Sequence, residues 1–152
     1  MFSLTLPLYV IVMETGVGGA YLWEHALAKL PESTVNPIHG GVYMPDPADL
    51  DCHLEEFNLL ETAQVVIITN WDRRDLHGST LITSLHAVHP ELAFIVLTTM
   101  TKAASDFLSA NPKIIGTAQN KRIDSLSALM ADGIDQLIDE QSPRLKAVET
   151  AG

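Results

Sequence analysis

The sequence predicts an α/β fold in one domain: a doubly wound, five-stranded parallel sheet made of five consecutive β-α units. Three observations lead there. Residues 8–13 (LYVIVM), 63–69 (AQVVIIT) and 92–98 (LAFIVLT) are short apolar runs rich in β-branched residues, the pattern of parallel strands buried on both faces. The segments between them carry apolar residues at helical spacing, and alternating β and α elements imply helices covering both sides of one parallel sheet. Finally, 152 residues with 47% apolar content make one ordinary domain with a core of its own.

The elements follow in order along the chain. Residues 8–13 form the first strand, and Glu14 to Gly19 turn the chain. Residues 20–30 place Leu22, Ala26, Leu27 and Leu30 on one helical face, with Pro31 just past the end. Residues 35–38 are a short second strand, and the Gly- and Pro-rich stretch 39–47 reads as a loop. Residues 48–60 repeat Leu50, Leu54, Phe57 and Leu60 as one helix. The third strand, 63–69, is followed after a loop by a helix over 79–89, which Pro90 stops. Strand four (92–98) leads to a helix over 101–110, then to a fifth strand over 113–117. The last helix, 122–139, carries Ile123, Leu126, Met130, Ile134 and Leu137 on one stripe. The domain is expected to span 1–140, with a polar tail over 141–152.

Bulk properties narrow the function. The formal charge of -10 argues against general affinity for nucleic acid or an anionic membrane, since both require basic surface. The single cysteine, Cys52, excludes an internal disulfide framework and a cysteine-based zinc site, and fits a reducing, cytoplasmic setting. Residues 1–13 are apolar but too short to span a bilayer. They have no preceding Lys or Arg and no small-residue cleavage site after them, so they read as a buried strand with a lead-in and not as a signal peptide.

In open parallel sheets the functional crevice lies at the carboxyl ends of the strands. Here that edge gathers Met13, Glu14, Asn70 and Thr98. The stretch Val65-Val66-Ile67-Ile68-Thr69-Asn70-Trp71-Asp72-Arg73-Arg74-Asp75-Leu76-His77-Gly78 resembles the third-strand motif of two-component receiver domains. That motif is an apolar strand, the phosphoacceptor Asp, two residues, an apolar residue, Pro, three residues and Gly. The helix after Gly78, the Pro90 before strand four and Thr98 at the switch Ser/Thr position fit the same pattern, best over residues 63–99. The resemblance implies a flavodoxin-like (βα)5 receiver-like fold.

The departures from that pattern are chemical. Asn70 stands where the family has its acceptor Asp, and a neutral amide is a poor nucleophile with no charge to hold a divalent cation. The acidic pair after strand one is reduced to Glu14, with Met13 beside it. The conserved-type Lys after strand five falls at Gln119 or Asn120, with Lys121 displaced. No aromatic stands at Gly116 or Thr117, and Arg73-Arg74 replace the apolar–Pro pair. The resemblance therefore implies a degenerate acceptor pocket of Glu14, Asn70, Asp72 and Thr98, with no metal and no cofactor. Such a chain is a pseudo-receiver: a regulatory protein–protein interaction module for a protein partner or a second copy, and not an enzyme. The output face of receivers places the expected partner surface at Lys113, Arg122, Ile123, Leu126 and Met130.

Two other readings stand beside it. Receiver-like accessory domains of Orn/Lys/Arg decarboxylases have a degenerate pocket, and some share a Trp-Asp pair like Trp71-Asp72. A small-molecule or nucleotide site at Gly16-x-Gly18-Gly19 has the right place before a helix, but Tyr21 breaks the dinucleotide spacing and no P-loop Lys follows. His86 and His89, three apart on a helix, lack a third metal ligand nearby. The Asp72–Asp75 charge cluster reads as a solvated loop or as a polar rim of the pocket.

Overall fold

The computed structural model describes residues 3, 5–15, 19–73, 76–98, 101–111, 114–118 and 126–141. The strands are β1 (Leu8–Val12), β2 (Ile38–Tyr43), β3 (Gln64–Asn70), β4 (Ala93–Leu97) and β5 (Ile115–Ala118). The helices are α1 (Gly19–Ser33), α2 (Leu50–Glu56), α3 (Leu59–Thr62), α4 (Gly78–Val88), α5 (Lys102–Ala110) and α6 (Leu126–Gln141). All strand pairs are parallel, in the order β2-β1-β3-β4-β5. This is the flavodoxin-like arrangement expected from the sequence, with the order reversing at β1 and β3.

Period-two alternation divides the strand side chains between two cores. Val10, Val12, Val66, Ile68 and Ile95 face α1 and α6, where they meet Trp23, Leu30, Met130, Ile134 and Leu137. Ile11, Ile67, Phe94 and Val96 face the opposite layer, where Leu50, Leu54, Leu59, Leu81 and Ile82 cover them. Burial of each such Val, Leu or Ile side chain contributes about 1.5–3 kcal/mol.

Several boundaries differ from the sequence reading, each for a local reason. The second strand lies at Ile38–Tyr43 and not at 35–38, where Val35 is fully exposed. Gly40 and Gly41 are strand residues because neighbours crowd them. A Cβ on Gly41 would lie 2.8 Å from Leu27 Cδ2, and one on Gly40 would lie 3.1 Å from the Tyr9 ring. Glycine in a strand thus marks close approach here, not a loop. The helix expected over 48–60 is three pieces. A 3-10 turn at Pro47–Asp49 is capped by Asp46, whose side chain accepts from the Ala48 amide. Then come α2 and α3, separated by Asn58 in the left-handed region (φ 50°). The break leaves Phe57, placed on the apolar stripe by spacing, exposed.

On α1 the buried face is Trp23, Ala26 and Leu30, so Leu22 is turned toward solvent, and Pro31 lies inside the last turn. The fifth strand begins at Ile115, after a turn residue at Ile114, and the last helix is described from Leu126, the expected start at 122 lying outside the described residues. The tail beyond 141 lies outside the described residues.

Helix α6 seats against the sheet through Gly133. A Cβ there would stand 2.6 Å from Ile95 Cγ2 and 3.2 Å from Ala118 Cβ. Exchanging Gly for Ala in a free helix gains about 1 kcal/mol, whereas forcing a methyl into a filled core costs about 1–3 kcal/mol. Gly133→Ala is therefore expected to lower the urea midpoint, by a net loss of up to about 2 kcal/mol. A raised midpoint would contradict the close seating.

Asp135, on the outer side of α6, accepts a hydrogen bond from Asn36 Nδ2 at 3.1 Å. Partial burial pushes its carboxyl above the usual carboxylate range. The Asn36 hydrogen bond opposes this, while Asp132 and Asp139 add to it. The folded chain holds this proton more tightly than the unfolded chain. Its stabilising effect is thus complete at acid pH and is lost as pH rises through the raised value. Asp135→Asn keeps an acceptor for Asn36 and removes the penalty. The variant is expected to melt higher than the native chain at neutral pH, with the gap closing below the carboxylate range.

Candidate functional site

The carboxyl ends of β1, β3 and β4 lie side by side. The register aligns Val12 with Ile68 and Asn70 with Leu97. The ladder continues past the strands through Met13 N to Ile68 O (2.7 Å), Met44 N to Val12 O (2.8 Å) and Trp71 N to Leu97 O (3.0 Å). Glu14, Asn70 and Thr98 are thereby gathered on one edge, as the sequence led us to expect. Thr98 follows β4, half-buried, with its amide donating to Ala118 O at 3.2 Å.

Asn70 is half-buried at the tip of β3. Its Oδ1 accepts from the Thr15 amide at 3.3 Å, and its Nδ2 donates to the Asp72 carbonyl oxygen. The amide group thus uses both of its ends locally, joining the turn after β1 to the loop after β3. Asp72 adjoins Asn70 through its backbone, and its side chain is exposed. The turn at Asn70 also explains Gly78. A Cβ there would lie 2.6 Å from Asn70 O and 3.0 Å from Trp71 O, and the Gly78 amide donates to Trp71 O at 3.0 Å. Glycine eight residues after position 70 is what lets α4 start against the strand end. His77 caps this helix, its Nδ1 accepting from the Ser79 amide at 3.2 Å, and its ring stands edge-on to Trp71 at 4.5 Å.

Glu14 is buried, 4% exposed, and accepts a 2.9 Å hydrogen bond at Oε2 from Trp23 Nε1 on α1. Its carbonyl oxygen accepts from the Tyr43 hydroxyl at 3.0 Å. The Tyr43 hydroxyl is held above its usual range, first by burial, then by the Glu14 charge, with Arg73 opposing. Arg73 itself is folded inward. It donates to the Met13 carbonyl oxygen, to Thr69 Oγ1 (3.2 Å) and to Pro45 O (3.2 Å).

The divalent cation that the resemblance associates with such crevices does not fit this donor set. Hard cations want several oxygens, mostly anionic. Here residue 70 is an amide, residue 13 a methionine, and a guanidinium occupies the Met13 carbonyl. Among the described residues, no group of three His, Cys, Asp or Glu side chains is placed to hold a metal ion.

The expected partner surface fares differently. Met130 is fully buried between α6 and the sheet, so it is removed from any surface, and Leu126 packs half-buried on the same core. Helical spacing alone does not separate a core stripe from a docking stripe. Lys113, Arg122 and Ile123 lie outside the described residues, as do Gly16, Gly18, Gln119 and Asn120. His89 does not pair with His86. Its Nε2 lies 2.6 Å from Asp51 Oδ1, tying the end of α4 to α2. By sequence Arg73 stands only within the 72–75 charge cluster, read as a solvated loop or a polar rim, and Trp23 is not a candidate site residue. The signal for Arg73 was the arginine pair in place of apolar–Pro, and for Trp23 a donor nine residues beyond a strand-end acid.

No protein-family model matches the chain, and no curated protein matches it. Solved structures do. A two-component transcriptional regulator AraC from Clostridium phytofermentans superposes with a TM-score of 0.55 at 13% identity, over 94% of this chain and 98% of that one. The fold is receiver-like. An adenylate cyclase from Rhodopirellula baltica gives a TM-score of 0.54 at 10% identity, over 96% and 97% of the two chains. RcsB from Salmonella enterica serovar Typhimurium, bound to a promoter in the presence of a phosphomimetic, gives 0.52 at 22% identity, over 90% of this chain and 67% of that one. At these identities the likeness is one of fold. Among the described residues, no helix is long and apolar enough to cross a membrane.

The Trp23–Glu14 contact makes a direct prediction. Trp23→Phe keeps most of the ring and removes one donor from a buried carboxylate, so a loss of about 1–3 kcal/mol is expected in chemical denaturation. In a double-mutant cycle, Trp23→Phe should cost less in a Glu14→Gln background. Equal costs in both backgrounds would mean the hydrogen bond is not coupled to the acid.

Proposed function

We propose that the chain is a pseudo-receiver: a receiver-like regulatory module that acts through a protein partner or a second copy of itself and does not use aspartyl phosphorylation. The observation that carries this reading is Asn70 at the tip of β3, its amide engaged by Thr15 and Asp72. Phosphoryl transfer to this position needs a carboxylate oxygen to attack phosphorus and a cation to spread the developing charge. An amide oxygen carries no full negative charge and here already accepts a hydrogen bond. The remaining acid, Glu14, is buried and directed to Trp23. The similarity in fold to two-component regulators supports a signalling role. The negative net charge of -10 favours a partner with a basic face.

The reading is tested with acetyl phosphate and Mg²⁺, followed by intact-mass and peptide mass spectrometry. The expected outcome is no Mg²⁺-dependent phosphoryl adduct on the folded chain. Stoichiometric modification of an aspartate next to the crevice would overturn it.

A further inference from the structure

Arg73 is 9% exposed, unusual for a charged residue, and its guanidinium donates to oxygens from three chain segments. One nitrogen donates to the carbonyl oxygen of Met13, after β1, and at 3.2 Å to Thr69 Oγ1, within β3. The other donates at 3.2 Å to the carbonyl oxygen of Pro45, after β2. Buried charge is tolerated only where such hydrogen bonds replace water. The planar fork of arginine suits the task, since it presents several donors in fixed directions from one charge. Neighbouring strand ends in a parallel sheet leave outward-pointing carbonyl oxygens, and this cation gathers them.

We propose that Arg73 is the resident cation of the strand-end crevice, fastening the ends of β1, β2 and β3 together and keeping divalent metal ions out. The inference rests on the reading of the crevice as a pseudo-receiver site, and deepens it. The Met13 carbonyl is the kind of oxygen a hard cation would take, and it is already engaged. A second cation brought beside it would meet the guanidinium charge in a partly desolvated space, where repulsion is stronger than in water. The crevice is therefore closed to metal by two independent features, a missing carboxylate at position 70 and a charge of the wrong sign nearby. Restoring the carboxylate alone should not restore metal binding.

The test measures Mn²⁺ uptake, from the spin-resonance signal of the free ion, by the native chain, N70D and N70D/R73Q, each checked for folding by circular dichroism. The native chain and N70D are expected to leave the ion free. N70D/R73Q is expected to bind it at least about tenfold more tightly than N70D. Uptake by N70D as tight as by the double variant would overturn the inference, as would a folded double variant that leaves Mn²⁺ free. If R73Q chains do not fold, N70D alone decides the metal-exclusion claim: Mn²⁺ left free by folded N70D is the expected result, and tight uptake by it overturns the inference. Failure here is distinct from failure of the functional reading. Mn²⁺ binding by N70D with an acetyl-phosphate-silent native chain sinks the resident-cation inference alone, whereas phosphorylation of the native chain sinks the pseudo-receiver reading.

Discussion

A parallel sheet covered on both faces forces its unsatisfied polar groups onto two rims. Inside the sheet every strand residue can be apolar, because helices cover both sides and the ladder satisfies the backbone. One residue past the strand ends the ladder gives out, and carbonyl oxygens such as those of Met13 and Pro45 are met by side chains instead. Three of the buried polar side chains, Glu14, Thr69 and Arg73, lie at that rim. Trp23 reaches Glu14, Tyr43 reaches the Glu14 carbonyl, and Arg73 reaches three more oxygens. The rim is thus sealed by the chain's own donors. Its partners come from α1, β2 and the loop after β3, so the seal also ties α1 and that loop to the strand ends.

The chemistry of the rim follows from which donors are present. An open crevice lined by carboxylates invites cations, and a cation prepares a nearby oxygen for phosphoryl transfer. A crevice filled by a guanidinium, an indole and an amide presents its neighbours with satisfied hydrogen bonds. It has little reason to rearrange when a small ion or phosphate arrives. On the proposed pseudo-receiver reading, such a rim would hold one conformation in place of two exchanged by modification. A regulatory protein with such a rim would convey information by being present or absent and by what it touches.

Much of this architecture was legible from residue order. Strands β1, β3 and β4 are apolar runs rich in β-branched residues, and Gly78 eight residues after Asn70 fitted the receiver motif. The second strand was hidden because Gly40 and Gly41 carry the usual marks of a loop, while their actual role is to let Leu27 and Tyr9 come close. The face of α1 was misplaced by one residue, since Leu22 and Trp23 both suit a core and only packing decides between them. Arg73 was hardest to foresee. In a run of four charged residues the sequence does not tell which one turns inward, because two of the three oxygens that receive it, on Pro45 and Met13, lie 28 and 60 positions away in the chain. The Asp51–His89 contact was invisible for the same reason. Met130 shows the converse problem, an apolar stripe whose periodicity is the same whether it meets the sheet or a visitor.

The glycine at position 133 has a mechanical meaning beyond packing. With no side chain between them, the axis of α6 is drawn down onto Ile95 and Ala118 like a key into its slot. A helix seated so closely above the strands can slide or roll only by displacing Ile95 and Ala118. A molecule gripping its outward side would be holding a rigid handle of the whole sheet, and any pull on it would be felt at β4 and β5 before it could be absorbed by the helix itself.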